Sequence, residues 1–248
     1  MKISIINIFI IIFLLGCVAC KHQAQPLSEL QLQPTGQAWG ALYQQQAAEY
    51  KALCYQAYNI ARLRLDEKLQ NDSGRQLVIV TDIDETVLDN SPYFINLARE
   101  GKVYSDSTWV EWTAEIKCDT IPGASHFLKY ADKKGVTIYY ISNRLEVELL
   151  PTIKNLEKWG FPYADKEHVF LMNLKDNSKE SRRLSIGEDC EVVLYLGDKM
   201  GDFSSYFDHL DRTEMTERTK NRASSFGDKF IVLPNNMYGD WDDVLSKN

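Results

Sequence analysis

The sequence predicts an α/β protein, a doubly wound parallel sheet with a small helical accessory layer. Three features of its 248 residues point there. Short apolar runs, β-branched at their centres, recur at 77–80, 136–141, 168–172, 192–196 and 230–233, and such runs suit strands buried on both faces. Helix-like stretches separate most of them, which implies right-handed crossovers between parallel strands. Polar clusters follow the first, second and fourth runs, at the carboxyl ends of strands, where open α/β sheets bind their ligands. A hydrophobic content of 44% supplies a core without disulfide staples.

Taken in chain order, residues 1–16 read as an export signal. Lys2 is its basic end, and 3–15 is apolar apart from Ser4 and Asn7. That run is shorter than the roughly 20 residues a membrane span needs. It closes on Leu14-Leu15-Gly16-Cys17, similar to a bacterial lipobox, where cleavage leaves an acylated Cys17 that anchors the chain to a bilayer. Cys20 is the weaker candidate, because Cys17 would then stand where that motif wants Leu. Residues 17–36 form the lipidated N-terminus and a polar, Gln-rich tether, and 37–248 form the globular domain. From 38 to 69, apolar residues such as Tyr43, Ala47, Tyr50, Cys54, Ala57, Tyr58, Ala61 and Leu65 recur at helical spacing. They predict a long amphipathic helix, broken once and stopped by Asn71-Asp72-Ser73-Gly74. After the first strand, the aromatic-rich stretch 93–119 predicts an inserted helical piece. The accessory layer therefore draws on 38–70 and 93–120. Helices are predicted again at 124–134 and 146–159, between the later strands.

Charge and cysteine content exclude some functions. With 28 basic against 35 acidic residues, the chain carries −7. The richest basic patches, 179–183 and 218–222, are interleaved with polar or acidic residues, so binding to a nucleic-acid polymer is not expected. No CxxC pair or His-rich tract suggests zinc. Cys54, Cys118 and Cys190 are an odd remainder that argues against a disulfide framework; one optional bridge stays open.

The clusters carry the chemistry. The first reads Thr81-Asp82-Ile83-Asp84-Glu85-Thr86-Val87-Leu88-Asp89, the second Ser142-Asn143-Arg144, and the fourth Gly197-Asp198-Lys199-Met200-Gly201-Asp202. Between them, 175–183 supplies lysines and arginines. Carboxylates beside a buried strand are costly unless a metal or cation compensates. An Asp-x-Asp alone is common in loops, where Asp caps helices. Four clusters in this order are not.

This order resembles the haloacid dehalogenase superfamily. Asp82 to Tyr93, Glu49-Tyr-Lys-Ala-Leu53, Tyr55-Gln-Ala-Tyr-Asn59, Leu233-Pro-Asn235 and Tyr238-Gly239 are similar to the class C acid phosphatases, the bacterial outer-membrane lipoprotein e family. The resemblance implies a Mg²⁺-dependent phosphomonoesterase. In it Asp82 is the nucleophile that becomes an aspartyl-phosphate, and Asp84 is the general acid and then base. The metal falls to Asp82, the Asp84 backbone carbonyl and Asp198, with Asp202 in or just behind that shell. Thr86, Ser142, the Asn143 amide and Lys179 serve the phosphate, with Lys175 the alternative lysine. Arg144 orients the loop or the substrate. Trp109 and Tyr238 sandwich the base of a nucleoside 5′-monophosphate. The resemblance also implies a homodimer and a place in the cell envelope, at the outer membrane.

Two competing readings remain. An anchored nucleotide-binding protein without turnover would keep the fold, but every acid needed for turnover is present. Dehalogenase-like and phosphonatase-like members generally lack the second acid, Asp84, and the small insertion argues against a water-excluding mutase cap.

Overall fold

The structure, a computed structural model, describes residues 29–70, 74–173, 178–187 and 189–242. The export signal at 1–16, Cys17, Cys20, the first part of the tether and Lys175 lie outside the described residues.

Two helices open the described chain, α1 (Glu29–Gln46) and α2 (Ala48–Lys68). They are the predicted broken helix: Ala47 between them is extended, at φ −77° and ψ 127°. α1 begins earlier than expected, at Glu29, inside the stretch assigned to the tether, and Leu, Gln and Glu are all good helix formers. α2 buries Tyr50, Cys54, Ala57, Tyr58, Ala61 and Leu65, the predicted stripe. A Cβ at Gly40 of α1 would lie 2.5 Å from the Asn236 carbonyl oxygen, so a glycine is needed for α1 to pack on that loop.

The sheet has five parallel strands. β1 (Gln76–Thr81) is central, and the chain continues through β2 (Leu88–Asp89), α3 (Ser91–Glu100), α4 (Asp106–Ala114) and β3 (Asp119–Thr120). Next come α5 (Ala124–Lys133), β4 (Thr137–Leu145), α6 (Leu149–Lys158), β5 (Val169–Met172), α7 (Lys179–Leu184), β6 (Cys190–Gly197), α8 (Arg212–Asn221) and β7 (Phe230–Val232). The order is β5-β4-β1-β6-β7, with β2 and β3 a separate antiparallel pair. β1 pairs β4 through Val80↔Tyr139 and β6 through Thr81↔Leu196. The strand order thus reverses at β1, the switch point where such sheets open a crevice. Val78, Ile79, Ile138, Tyr140, Leu194, Leu196 and Ile231 form the core, covered by α2, α5 and α6. Burying side chains of this size contributes roughly 1.5–3 kcal/mol each.

Three features escaped the sequence reading, the six-residue α7 among them. β2 and β3 are two-residue strands, too short for a period. α8 buries no residue and so shows no apolar stripe. Its signal is a capping box: Asp211 accepts from the Glu214 amide at 2.9 Å, and Glu214 accepts from the Asp211 amide at 3.2 Å.

Candidate active site

The polar clusters meet at the carboxyl ends of β1, β4 and β6. They line a cavity of about 340 Å³, to which Asp82, Asp84, Ser142, Asn143, Lys179 and Asp198 all contribute. The loop after β1 is drawn tight by apolar anchors. Ile83 and Val87 are buried, and the Ile83 carbonyl accepts from the amides of Val87 and Leu88, both at 2.9 Å. Asp82 is fixed from the neighbouring strand, its amide donating to Leu196 at 2.9 Å.

Asp82, Asp198 and Asp202 can each offer an oxygen within 4.8 Å of the others. Lys179 Nζ donates to Asp82 Oδ1, and to Asp202 Oδ1 at 2.6 Å. The second oxygen of Asp202 takes the Lys199 amide at 2.8 Å, so this carboxylate braces the cluster with both oxygens engaged. Asn235 Nδ2 donates to Asp198 at 2.7 Å. A Cβ at Gly197 would overlap the Asp202 side chain, which explains why glycine precedes Asp198.

Charge balance identifies what the cluster suits. Burial, Asp202, Asp198 and Asp84 push the Asp82 carboxyl well above the usual range, although Lys179 opposes them. Burial and Asp202 push Asp198 up to about 6. Burial alone would lower Lys179, but Asp202 and Asp82 more than offset it. Three carboxylates thus face one lysine in a buried pocket, and their oxygen-only donors fit a hard divalent cation.

Asp84 sits differently. Burial alone would raise its carboxyl, but Arg144 and then Asn90 more than compensate and hold it below the usual range. Arg144 Nη2 donates to Asp84 Oδ1 at 2.7 Å, Asn90 Nδ2 at 2.8 Å, and Ser142 Oγ to Oδ2 at 3.2 Å. Asn90 is itself oriented, its Oδ1 accepting from Trp112 Nε1 at 2.9 Å. Arg144 also reaches Thr152 Oγ1 at 3.1 Å, so its guanidinium is spent on holding Asp84. Arg182 braces the second cluster through the Ser142 carbonyl at 2.6 Å and Asn143 Oδ1 at 2.9 Å.

Thr86 stands apart from the other predicted phosphate contacts. It is fully buried and does not line the cavity. The tight turn, with Glu85 at φ 56°, directs Thr86 beneath the loop, where its carbonyl accepts from the Tyr58 hydroxyl at 2.6 Å. Trp109 and Tyr238 both line the cavity. Phe94 packs against both, stacked on Tyr238 at 5.1 Å and tilted against Trp109 at 6.4 Å. Lys199 Nζ lies 4.6 Å over the Tyr238 ring. Sequence reasoning gave no role to Phe94, Asn90, Arg182, Lys199 or Asn235. Asn90 and Asn235 fall inside the motif stretches and Phe94 just beyond Tyr93, but their types carry no chemical signal of their own.

Residues 17–241 match the family profile of the HAD superfamily, subfamily IIIB (acid phosphatase). The chain belongs to this family. Two solved structures of the class C acid phosphatase from Bacillus anthracis, one with tungstate bound, are each 42% identical to it with a TM-score of 0.83. The tungstate-bound one covers 87% of this chain and 90% of its own; the other covers 88% and 90%. Acid phosphatase 1 of Solanum lycopersicum is 28% identical over 177 residues, 67% of this chain, and the match spans 60% of that relative's length. As a subfamily IIIB member the chain stands among acid phosphatases, and the carboxylate-lined cavity at the sheet's switch point is its candidate active site.

Proposed function

We propose that the chain hydrolyses phosphate monoesters, preferentially nucleoside 5′-monophosphates, through an aspartyl-phosphate on Asp82. The observation that carries this reading is the convergence of Asp82, Asp198 and Asp202 on one point, with Lys179 between them and Asp84 alongside.

Asp82 attacks phosphorus in line, forming a carboxyl oxygen–phosphorus bond as the ester oxygen leaves. Asp84 gives its proton to the departing alkoxide. Asp84 then takes a proton from water, which attacks the phosphoryl group and frees Asp82 and inorganic phosphate. Arg144 favours the ionised Asp84 needed for the second step. The first step draws on the protonated fraction, which grows as pH falls, and an acidic or near-neutral optimum follows. Ser142, the Asn143 amide and Lys179 face the phosphoryl oxygens with donors fixed before the reaction. Mg²⁺, held by Asp82, the Asp84 backbone carbonyl and Asp198, with Asp202 behind, would offset the repulsion between anionic nucleophile and anionic ester.

Phe94, Tyr104, Trp109 and Tyr238 give the cavity aromatic walls, suited to a planar leaving group. Asp240 and Asp242 also line it and disfavour a second phosphate. The same reading takes 1–16 as a cleaved signal and acylated Cys17 as the anchor to the outer membrane, supported by the lipobox. The expected homodimer belongs to it as well. Partitioning into detergent that Cys17→Ser leaves intact would remove the anchor from this account.

Purified protein with adenosine monophosphate and Mg²⁺ is expected to release phosphate. EDTA should reduce the rate at least about 100-fold, on the scale of losing a catalytic Lewis acid worth several kcal/mol, and added Mg²⁺ should restore it. Tight nucleotide binding without phosphate release would favour the binding protein instead.

A further inference from the structure

We propose that Glu85 is a positioning residue for substrate selection, tying the nucleophile loop to the aromatic wall of the cavity through Tyr238. This rests on the reading of that wall as the seat of a planar leaving group.

Glu85 is fully buried one residue after Asp84, with φ 56°, a backbone region that side-chain-bearing residues adopt uncommonly and that clusters at functional sites. Its oxygens are held by neutral donors. Oε1 accepts from the Asn90 amide at 2.8 Å, and Oε2 accepts from Asn90 Nδ2 at 3.4 Å and from the Tyr238 hydroxyl. A buried carboxyl without a cation is costly, and space-filling alone would be served better by an apolar side chain. Its two partners supply the reason. Asn90 also donates to Asp84, on the chemical side of the cavity, and Tyr238 forms part of its aromatic wall.

The Tyr238 ring has Phe94 stacked at 5.1 Å and 28°, and Lys199 over it at 4.6 Å. Face contacts of this kind let a ring slide and tilt. The hydroxyl bond to Glu85 removes that freedom and fixes the distance between the ring and the phosphoryl end. Such preorganisation lowers the entropic cost of seating a planar group and leaves an ester without a ring unaffected. Glu85 is therefore expected to act on KM for ring-bearing esters.

The test is steady-state kinetics of Glu85→Met, Tyr238→Phe and the double variant on adenosine monophosphate and on glycerol phosphate. Each single variant is expected to lower the ratio of kcat/KM between the two esters about tenfold, mainly through KM for the nucleotide, as the loss of about 1.4 kcal/mol would do. The double variant should fall no further, because both changes remove one bond. Equal losses of kcat on both esters with the ratio kept, or additive losses in the double variant, would overturn the proposal. If the parent protein does not prefer the nucleotide, the aromatic-wall reading fails and the proposal with it. If that preference exists and survives both variants, only the proposal fails. Should Glu85→Met not fold, the ratio in Tyr238→Phe decides alone.

Discussion

Asp82→Asn should lose phosphate release by on the order of 10⁴-fold or more, with a thermal midpoint at or above that of the parent. The two outcomes have one cause. Asp82 is 7% exposed and faces Asp198 and Asp202, and burial with these neighbours pushes its carboxyl far up. An amide of the same shape removes that repulsion. Lys179 keeps Asp202 at 2.6 Å, so no buried cation is stranded. A nucleophile whose removal leaves the fold intact separates chemistry from structure. Phosphate assays and thermal melts on the same preparation check both, and a sharply lowered midpoint would show Asp82 to be structural.

Arg144→Met should act the other way, chiefly on stability. Arg144 is 2% exposed and holds Asp84 at 2.7 Å. Breaking a buried pair on one side leaves the other charge uncompensated, a loss of about 3–5 kcal/mol at neutral pH. The pH dependence has a definite sign. In the parent, Arg144 depresses Asp84 below 3.8, so this stability is present above the unfolded value and lost as pH falls through the folded one. In the variant, burial dominates and Asp84 rises above its unfolded value. Protonation then relieves the buried charge, and the deficit should shrink as pH falls toward 4. Denaturant unfolding at several pH values measures it; a deficit constant with pH would mean that Arg144 stabilises by packing alone.

The parallel core was legible because buried strands such as Val78-Ile79-Val80 need continuous apolar runs, which few other structures produce. The clusters were legible because Asp82, Ser142 and Asp198 follow those runs, and parallel strands deliver their carboxyl ends to one edge. A single break was foreseen, though neither its place at Ala47, which counted toward the apolar stripe, nor the early start at Glu29. What stayed hidden depends on side-chain direction. Thr86 shares the spacing of the motif but turns under the loop, because the left-handed Glu85 reverses the chain. Arg144 was left between loop and substrate, since spacing does not say which carboxylate it meets. Phe94 lay unread among many aromatics, each as well suited to the core as to the cavity.

Acid quenching during turnover of adenosine monophosphate, followed by peptide mass analysis, tests the role of Asp82 most directly. The expected result is one phosphoryl group on the peptide containing Asp82, released by hydroxylamine and missing in Asp82→Asn. A phosphoryl group on another side chain, or full turnover with no trapped adduct under conditions that preserve acyl phosphates, would contradict the mechanism.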